Sequence, residues 1–198
     1  MERLNLNLNE IRDEGLNYIS TGFFSKLNYL YLMGNNISSE GIQYLVKAEF
    51  VNNLVILDLS ANRQIGDMGI RIMKDNKGWG KLNALILNEA GLTDVSLAYL
   101  GEANMPKLKK LNVMRNKFTD AMKPSINGLR MNHIQVNYLT KAEREKQKKE
   151  REKEKEKEEI KNKENNKNKI QEKHKELGDN YYLLTKFKNN TLNKYLNY

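Results

Sequence analysis

The chain has 198 residues, of which 39% are hydrophobic and 30% charged, and its formal net charge is +9. It contains no cysteine, which excludes disulfide frameworks, iron–sulfur clusters, thiolate zinc sites and cysteine nucleophiles. No run of about 18 apolar residues occurs, and the N-terminus lacks the apolar stretch of a signal peptide. We therefore expect a water-soluble intracellular protein, located in the cytoplasm or the nucleus.

Charge divides the sequence near residue 140. Residues 1–140 hold 16 basic and 13 acidic side chains, whereas residues 141–198 hold 18 and 12. Two thirds of the net positive charge therefore lies on the shorter segment. This shift in composition predicts a domain boundary at residue 140.

The first 140 residues repeat with a period of 26 to 28 residues. Five segments share apolar residues at their first, fourth and sixth positions, and they begin at Met1, Leu27, Leu54, Leu82 and Leu108. Because side chains alternate between the two faces of a strand, the fourth and sixth positions point to the same face. Each segment is therefore predicted to begin with a short strand.

A turn and a helix are predicted after each strand. An asparagine that can bond the turning backbone falls at the ninth position in Asn9, Asn35, Asn62 and Asn116, while repeat four has Ala90. The residues predicted to cap the helix N-termini are Asp13, Ser39, Asp67, Asp94 and Asp120. Apolar residues three apart, such as Ile42 and Leu45, then give each helix an apolar face. Such units must stack to bury these faces, so the pattern predicts a parallel sheet lining a curved solenoid.

This pattern, LxxLxLxxNxI followed by xDxGL, resembles the leucine-rich repeats of the ribonuclease-inhibitor-like subtype over about residues 1–137. Repeat three is one residue longer between Asn62 and Ile65, which is similar to the repeats found after F-box motifs, so the two subtypes are mixed. The resemblance implies an α/β leucine-rich-repeat solenoid over residues 1–140, with a curved parallel sheet inside and helices outside. It also implies binding of proteins, since family members serve as inhibitors, activators of small GTPases, immune sensors and substrate receptors of ubiquitin ligases.

The two ends of the repeat array differ. A sixth, shorter strand with apolar residues at Met131, Ile134 and Val136 is predicted to close the C-terminal end. At the other end Met1 already occupies a repeat position, so the apolar edge of repeat one lacks the polar capping unit that solenoids normally have. Three alternatives stay open: the chain is a fragment, polar neighbours protect the edge, or two copies pair edge to edge.

The outward-facing strand positions predict the binding surface. In a curved solenoid the third, fifth, seventh and eighth positions of each repeat cover the concave face, where an apolar centre with a charged rim is typical of an interface. The predicted partner-binding residues are Tyr29, Tyr31, Met33, Ile56, Asp58, Ile86, Glu89, Lys110, Met114 and Arg115. The sixth strand would add His133, Gln135, Asn137 and Tyr138. The alternative explanation is that Tyr and Ile occur here only because they favour strands.

The tail has two parts. Residues 141–178 form a charged Lys/Glu low-complexity segment, predicted to be a frayed helix or disordered, because strict alternation places like charges four residues apart. Apolar heptad positions for a coiled coil are missing, and a solvated spacer is the simplest role. Residues 179–198 carry aromatic residues and leucines between lysines, which suits docking on a partner or a membrane surface.

Catalytic and cofactor signatures are missing from the sequence. The two histidines, His133 and His174, cannot assemble a metal cluster or a Ser–His–Asp arrangement, and Trp79 between two glycines is predicted to be a structural plug. We therefore expect a protein-binding scaffold for an unidentified partner, with no enzyme activity, metal or cofactor. The alternatives are nucleic-acid or anionic-surface binding through the basic tail, which its acidic residues oppose, and a regulatory or substrate-receptor-like fragment of a larger repeat protein.

Overall fold

A computed structural model describes residues 1–139, 142–143, 145–163 and 165. The chain divides into two compact units, Met1–Glu145 and Lys146–Tyr198, and each is described by itself. The charged residues from 166 to 178 and the aromatic segment at 179–198 lie outside the described residues.

Six short parallel strands form one sheet in the first unit, and their order in the sheet is their order in the chain. The strands are β1 (Arg3–Asn5), β2 (Tyr29–Tyr31), β3 (Ile56–Asp58), β4 (Ala84–Ile86), β5 (Lys110–Asn112) and β6 (Gln135–Asn137). The register is constant, because the central residues of neighbouring strands pair throughout. Each strand therefore repeats the position of the one before it, as stacked repeats require.

Helices connect the strands. They are α1 (Arg12–Ser20), α2 (Ser39–Leu45), α3 (Gly66–Asp75), α4 (Asp94–Glu102) and α5 (Lys123–Met131), with short 3₁₀ helices at Glu49–Asn53 and Asp120–Met122. Successive α-helices contact each other in chain order. The helices therefore form a second layer that follows the order of the strands.

One apolar cluster joins the two layers. Leu57 and Leu85 from the strands and Ile70 from a helix are fully buried in it. Trp79 is also fully buried, and its indole Nε1 donates to the carbonyl oxygen of Met73 at 2.8 Å. The predicted structural role of this tryptophan is confirmed, because both its ring and its one polar atom are used inside the fold.

Buried asparagines link successive repeats through their amide groups. Asn62 is fully buried, and its Oδ1 accepts from the backbone N–H groups of Asn35 at 2.9 Å and Ile37 at 3.0 Å. Its Nδ2 donates to the carbonyl oxygen of Leu32 at 2.9 Å. Asn35 and Asn116 make the corresponding bonds to the repeats before them. The predicted bonding of these asparagines to the turning backbone is confirmed, and it joins each repeat to its neighbour.

Ala90 interrupts this ladder at repeat four. Its side chain offers no polar group to repeat three, and its carbonyl oxygen instead accepts from the backbone N–H of Gly66 at 3.0 Å. The next residue is Gly91, where a Cβ would collide with the carbonyl oxygen of Arg63. The extra residue of repeat three therefore lies against the one repeat that lacks a ladder asparagine.

The helix N-caps lie one or two residues earlier than predicted. Side-chain caps are provided by Ser38, Thr93 and Thr119, whereas α1 and α3 begin after Ile11 and Ile65 without one. The predicted caps Asp13, Ser39, Asp67, Asp94 and Asp120 are the first or second residues of their helices instead. In three repeats that prediction was wrong because a hydroxyl precedes the column and accepts the first-turn N–H in its place. In the other two, the helix begins one residue before the aspartate, without a side-chain cap.

Three of these aspartates bridge to the following repeat. Asp67 accepts the backbone N–H of Thr93 at 2.9 Å and the Thr93 hydroxyl at 2.6 Å, and the Ser96 hydroxyl also bonds to it. Asp13 and Asp94 accept corresponding bonds from the repeats after them. Each carboxylate therefore lies at the beginning of the next helix, where negative charge is favourable.

The sixth strand is shifted by two residues from its predicted register. Val136, rather than Ile134, pairs with Leu111. The shift arises because α5 is followed by a turn in which His133 has φ of +61° before the strand begins. Two predictions are corrected: His133 leaves the outward rows, and Tyr138 packs against the core instead of lying on the outward face.

Helical backbone also occupies residues 142–143, 145–163 and 165. The described side chains of this charged segment are exposed. Lys148 Nζ lies 3.8 Å from Oε1 of Glu152, one helical turn further along the chain. Ile160 is 52% exposed. The prediction of a partly helical charged tail is confirmed for these residues.

Candidate functional site

Three rows of side chains lie on the sheet face opposite the buried leucines, which we call the concave face. Strand register builds the first row from Arg3, Tyr29, Ile56, Ala84, Lys110 and Gln135. It builds the second from Asn5, Tyr31, Asp58, Ile86, Asn112 and Asn137. The third row is Asn7, Met33, Ser60, Asn88 and Met114, which backbone hydrogen bonds beyond the strand ends keep in register.

Apolar side chains from three neighbouring strands lie in the middle of this face. Tyr29 lies beside Ile56, and Tyr31 follows two residues later in the same strand. Asp58 stands between Tyr31 and Ile86 in the second row. We name the half-buried set Tyr29, Tyr31, Met33, Ile56 and Ile86 the apolar centre.

Arg3 extends the apolar centre, although the predicted site did not include it. Its guanidinium carbon lies 5.0 Å from the centroid of the Tyr29 ring and 6.0 Å from that of Tyr31. These distances are within the range of cation–π attraction. The repeat spacing itself was the signal for this neighbour, because Arg3 and Tyr29 hold the same position in successive repeats.

The other five predicted residues do not belong to the apolar centre. Lys110 lies beside Ala84 in the first row and is exposed. Met114 and Arg115 follow the same strand as Lys110. Asp58 stands between Tyr31 and Ile86 in the second row, and its Oδ1 accepts the backbone N–H of Ser60 at 2.9 Å. The ten predicted residues therefore divide into the five of the apolar centre, Asp58 beside them on β3, and a group towards β5 that consists of Glu89, Lys110, Met114 and Arg115.

An ion-paired cluster lies just beyond the strand ends at the charged side. Glu89 accepts from Arg63 Nη2 through Oε2 at 2.9 Å and from Arg115 Nη1 through Oε1 at 2.9 Å. The hydrogen bond from Arg63, followed by that from Arg115, holds the pKa of the Glu89 carboxyl below its usual range. Sequence reasoning missed Arg63, whose only signal was that it belongs to the lengthened turn of repeat three.

Two buried polar atoms also belong to the rows of the concave face. Ser60 Oγ and Asn112 Oδ1 have no protein hydrogen-bond partner within the part of the chain that the structure describes. Buried polar groups are normally paired, since leaving one unpaired costs about 1–3 kcal/mol. These two polar atoms of the concave face therefore take no part in the hydrogen bonds that hold the described fold together.

The sequence model of the Leucine Rich repeat family matches residues 1–20, 25–46 and 104–121. These three matches support a leucine-rich repeat protein. Together with the six-stranded parallel sheet, they show a leucine-rich-repeat solenoid, as predicted. A search of curated proteins found no match. The two repeat subtypes stay predictions, since the matches do not distinguish them.

Neither a metal-binding cluster nor a membrane-spanning helix occurs among the described residues. They contain no group of three or more His, Asp or Glu side chains placed to hold a metal ion. Across the same ranges, no helix combines the length and the apolar character needed to cross a bilayer. Leucine-rich repeats are typically non-enzymatic modules that mediate protein–protein interaction.

Proposed function

We propose that the chain is a scaffold that binds a partner protein on the concave face. The observation that carries this proposal is the strand register, which sets the five side chains of the apolar centre on three adjacent strands. Two of the five are tyrosines, which are enriched among the residues that dominate binding energy. A central apolar group with charged residues beside it is the usual composition of a protein interface.

The geometry of the apolar centre also favours binding over a purely structural role. Tyr29, Tyr31 and Ile56 are only half-buried in the solenoid, so part of their apolar area stays in contact with water. Removing such area from water stabilises a complex by about 25 cal/mol per Å². The leucines on the opposite face of the same strands, such as Leu30, are already fully buried, so they have no exposed apolar area that a partner could cover.

A paired set of variants tests this proposal. Tyr31→Ala with Ile86→Asp changes the apolar centre, and Tyr18→Ala with Val95→Asp makes the same chemical change on exposed positions of α1 and α4. Each full-length chain serves as bait in cell lysate, after its unfolding midpoint has been compared with that of the wild type. We expect the first variant to lose specific partners and the second to keep them. Retention of every partner by the first variant would show that the apolar centre is not the site.

Binding through the tail is the competing hypothesis, and salt distinguishes it. A basic segment that neutralises phosphates or an anionic surface loses affinity steeply as salt rises, whereas burial of apolar area does not. We expect the partners of the concave face to remain bound at high salt. Partners that are lost at high salt and are captured equally by both variants would belong to the tail.

A further inference from the structure

A cavity of about 480 Å³ opens beside the concave face, at the carboxyl ends of the third to fifth strands. Its lining residues are Arg63, Glu89, Gly91, Arg115, Asn116 and Lys117. They come from three successive repeats. The cavity is therefore formed by stacking of the repeats rather than by one loop.

The backbone of the lengthened repeat shapes this cavity. The extra residue of repeat three brings the carbonyl oxygen of Arg63 against Gly91, where no Cβ can be accommodated. Asn116 forms a fixed wall, because its amide group is fully used in bonds to repeat four and to its own turn. Arg63 and Arg115 are thereby directed to the same place from repeats that are not adjacent in the sheet.

The charges of the cavity do not balance. Glu89 is shared by two guanidiniums, and the side chain of Lys117 has no acidic partner among the described residues. Three cations thus face one carboxylate. Each guanidinium has five N–H donors, whereas the bonds to Glu89 use one donor from Arg63 and one from Arg115. The arginine side chains are 77% and 69% exposed, so their remaining donors are open to a ligand.

We infer that this cavity accepts a carboxylate from an acidic segment of the partner protein. The inference rests on the proposed function, because it assigns the chemistry of the partner next to the apolar centre. Glu89 shows that both guanidiniums can bind a carboxylate at 2.9 Å. Each guanidinium gives Glu89 one donor, so its other donors can make the planar two-donor contact that arginine prefers with a carboxylate. The negative charge of Glu89 makes the cavity less suitable for a doubly charged phosphate. The partner segment therefore combines apolar side chains for the apolar centre with an Asp, a Glu or a terminal carboxylate for the cavity.

The test measures fluorescence anisotropy with two labelled peptides and the full-length chain. One peptide consists of Glu, Leu and Gly, and the other has Gln at every Glu position. Arg63→Gln with Arg115→Gln removes the two forks, whereas Glu89→Gln removes the competing internal carboxylate. Arg71→Gln with Arg151→Gln removes two cations elsewhere and is the matched control.

We expect the double arginine variant to bind the acidic peptide about tenfold more weakly, and Glu89→Gln to bind it about threefold more tightly. The matched control and the Gln peptide should show neither change. Wild-type affinity in the double arginine variant, or weaker binding by Glu89→Gln, would overturn the inference. So would displacement of the acidic peptide by inorganic phosphate but not by acetate, since that result assigns the cavity to phosphate.

The carboxylate assignment of the cavity and partner binding at the apolar centre can be tested separately. Tyr31→Ala with Ile86→Asp leaves every lining residue of the cavity in place. That variant should lose the natural partners. When Glu89→Gln is added to it, the combined variant should still bind the acidic peptide more tightly than the variant without Glu89→Gln. Loss of the partners without any peptide effect would contradict only the carboxylate assignment.

Discussion

The first and third repeats follow the same sequence pattern but are buried to different extents. Leu4 and Leu57 hold the same strand position, yet Leu57 is fully buried and Leu4 only half-buried. The ladder asparagine of repeat three, Asn62, is likewise fully buried, whereas Asn9 is exposed. The cause is that β1 has a neighbouring strand on one side only, whereas β3 has one on each side. The repeat pattern therefore sets the fold of each unit, and the neighbours set how much of that unit is buried.

Exposed apolar side chains show the same contrast. Met1, Leu8, Tyr18 and Phe23 in the first repeat are each more than half exposed, and Phe23 is 98% exposed. Repeat three has one such residue, Met68, at 54%. The stabilisation of each repeat should accordingly come largely from its contacts with the repeats on either side, as in solenoids generally.

The largest expected difference concerns the core leucines. Leu57→Ala should lower the free energy of unfolding by about 3 kcal/mol, because it leaves a cavity between two repeats. Leu4→Ala should lower it by about 1 kcal/mol, because its side chain packs on the core but is only partly buried. Urea unfolding of both variants gives the comparison. Equal losses of unfolding free energy would show that the core of the first repeat is buried to the same extent as that of the third.

The asparagine ladder should show the next largest difference. Asn62→Ala leaves two backbone N–H groups of repeat two without their acceptor, and should cost about 2 kcal/mol. Asn9→Ala removes one bond to the nearby carbonyl oxygen of Asn7, and should cost less than about 0.5 kcal/mol. Both values come from the same urea titrations. A large cost at Asn9 would contradict the dependence of the ladder on a preceding repeat.

Acid should weaken one of the aspartate bridges. Burial raises the pKa of Asp67, but hydrogen bonds from Ser96 and Thr93 outweigh it, so its pKa lies below the usual value. Because the folded pKa is the lower one, the folded state binds fewer protons than the unfolded state as pH falls. The stability from this carboxylate is therefore present above about pH 4 and is lost as pH falls through the folded pKa.

Asp67→Asn tests this linkage. The difference in unfolding free energy between wild type and Asp67→Asn should be largest near neutral pH and should shrink below about pH 4. Ser39→Ala is the control, since Ser39 holds the same column in repeat two and is not an N-cap. A difference that stays constant with pH would show that the carboxylate charge is not what stabilises the bridge.

The smallest effect is expected at the edge of the first repeat. Phe23→Ser should change the free energy of unfolding by less than about 0.5 kcal/mol, because this side chain is almost fully exposed. Unfolding is measured at several protein concentrations. A loss above about 1 kcal/mol, or a dependence on concentration, would show that this edge packs against a second molecule.

The regular part of the structure could be predicted from the sequence, because period and alternation are local properties. The strand positions, the buried ladder asparagines and the apolar helix faces all follow from the spacing of leucine and asparagine. The position of Tyr29 beside Ile56 follows as well, since the same place in successive repeats means adjacency in the sheet.

The departures from regularity could not be predicted in the same way. The helix caps moved to Ser38, Thr93 and Thr119, because two polar residues in a row compete for one role and only the backbone geometry decides between them. The sixth strand moved by two residues because a left-handed turn at His133 cannot be read from apolar spacing. Arg63 joined the charged cluster because an insertion redirected it, and the pattern does not say where an inserted side chain points.

Photo-crosslinking in cells shows which face of the repeats touches a partner protein. A photoreactive phenylalanine analogue replaces Tyr31 in one full-length chain and Tyr18 in another, so that the same probe lies on the concave face or on the outer face of α1. After irradiation in cells, we expect a crosslinked partner protein from position 31 and none from position 18. Crosslinks that form only from position 18 would contradict binding on the concave face.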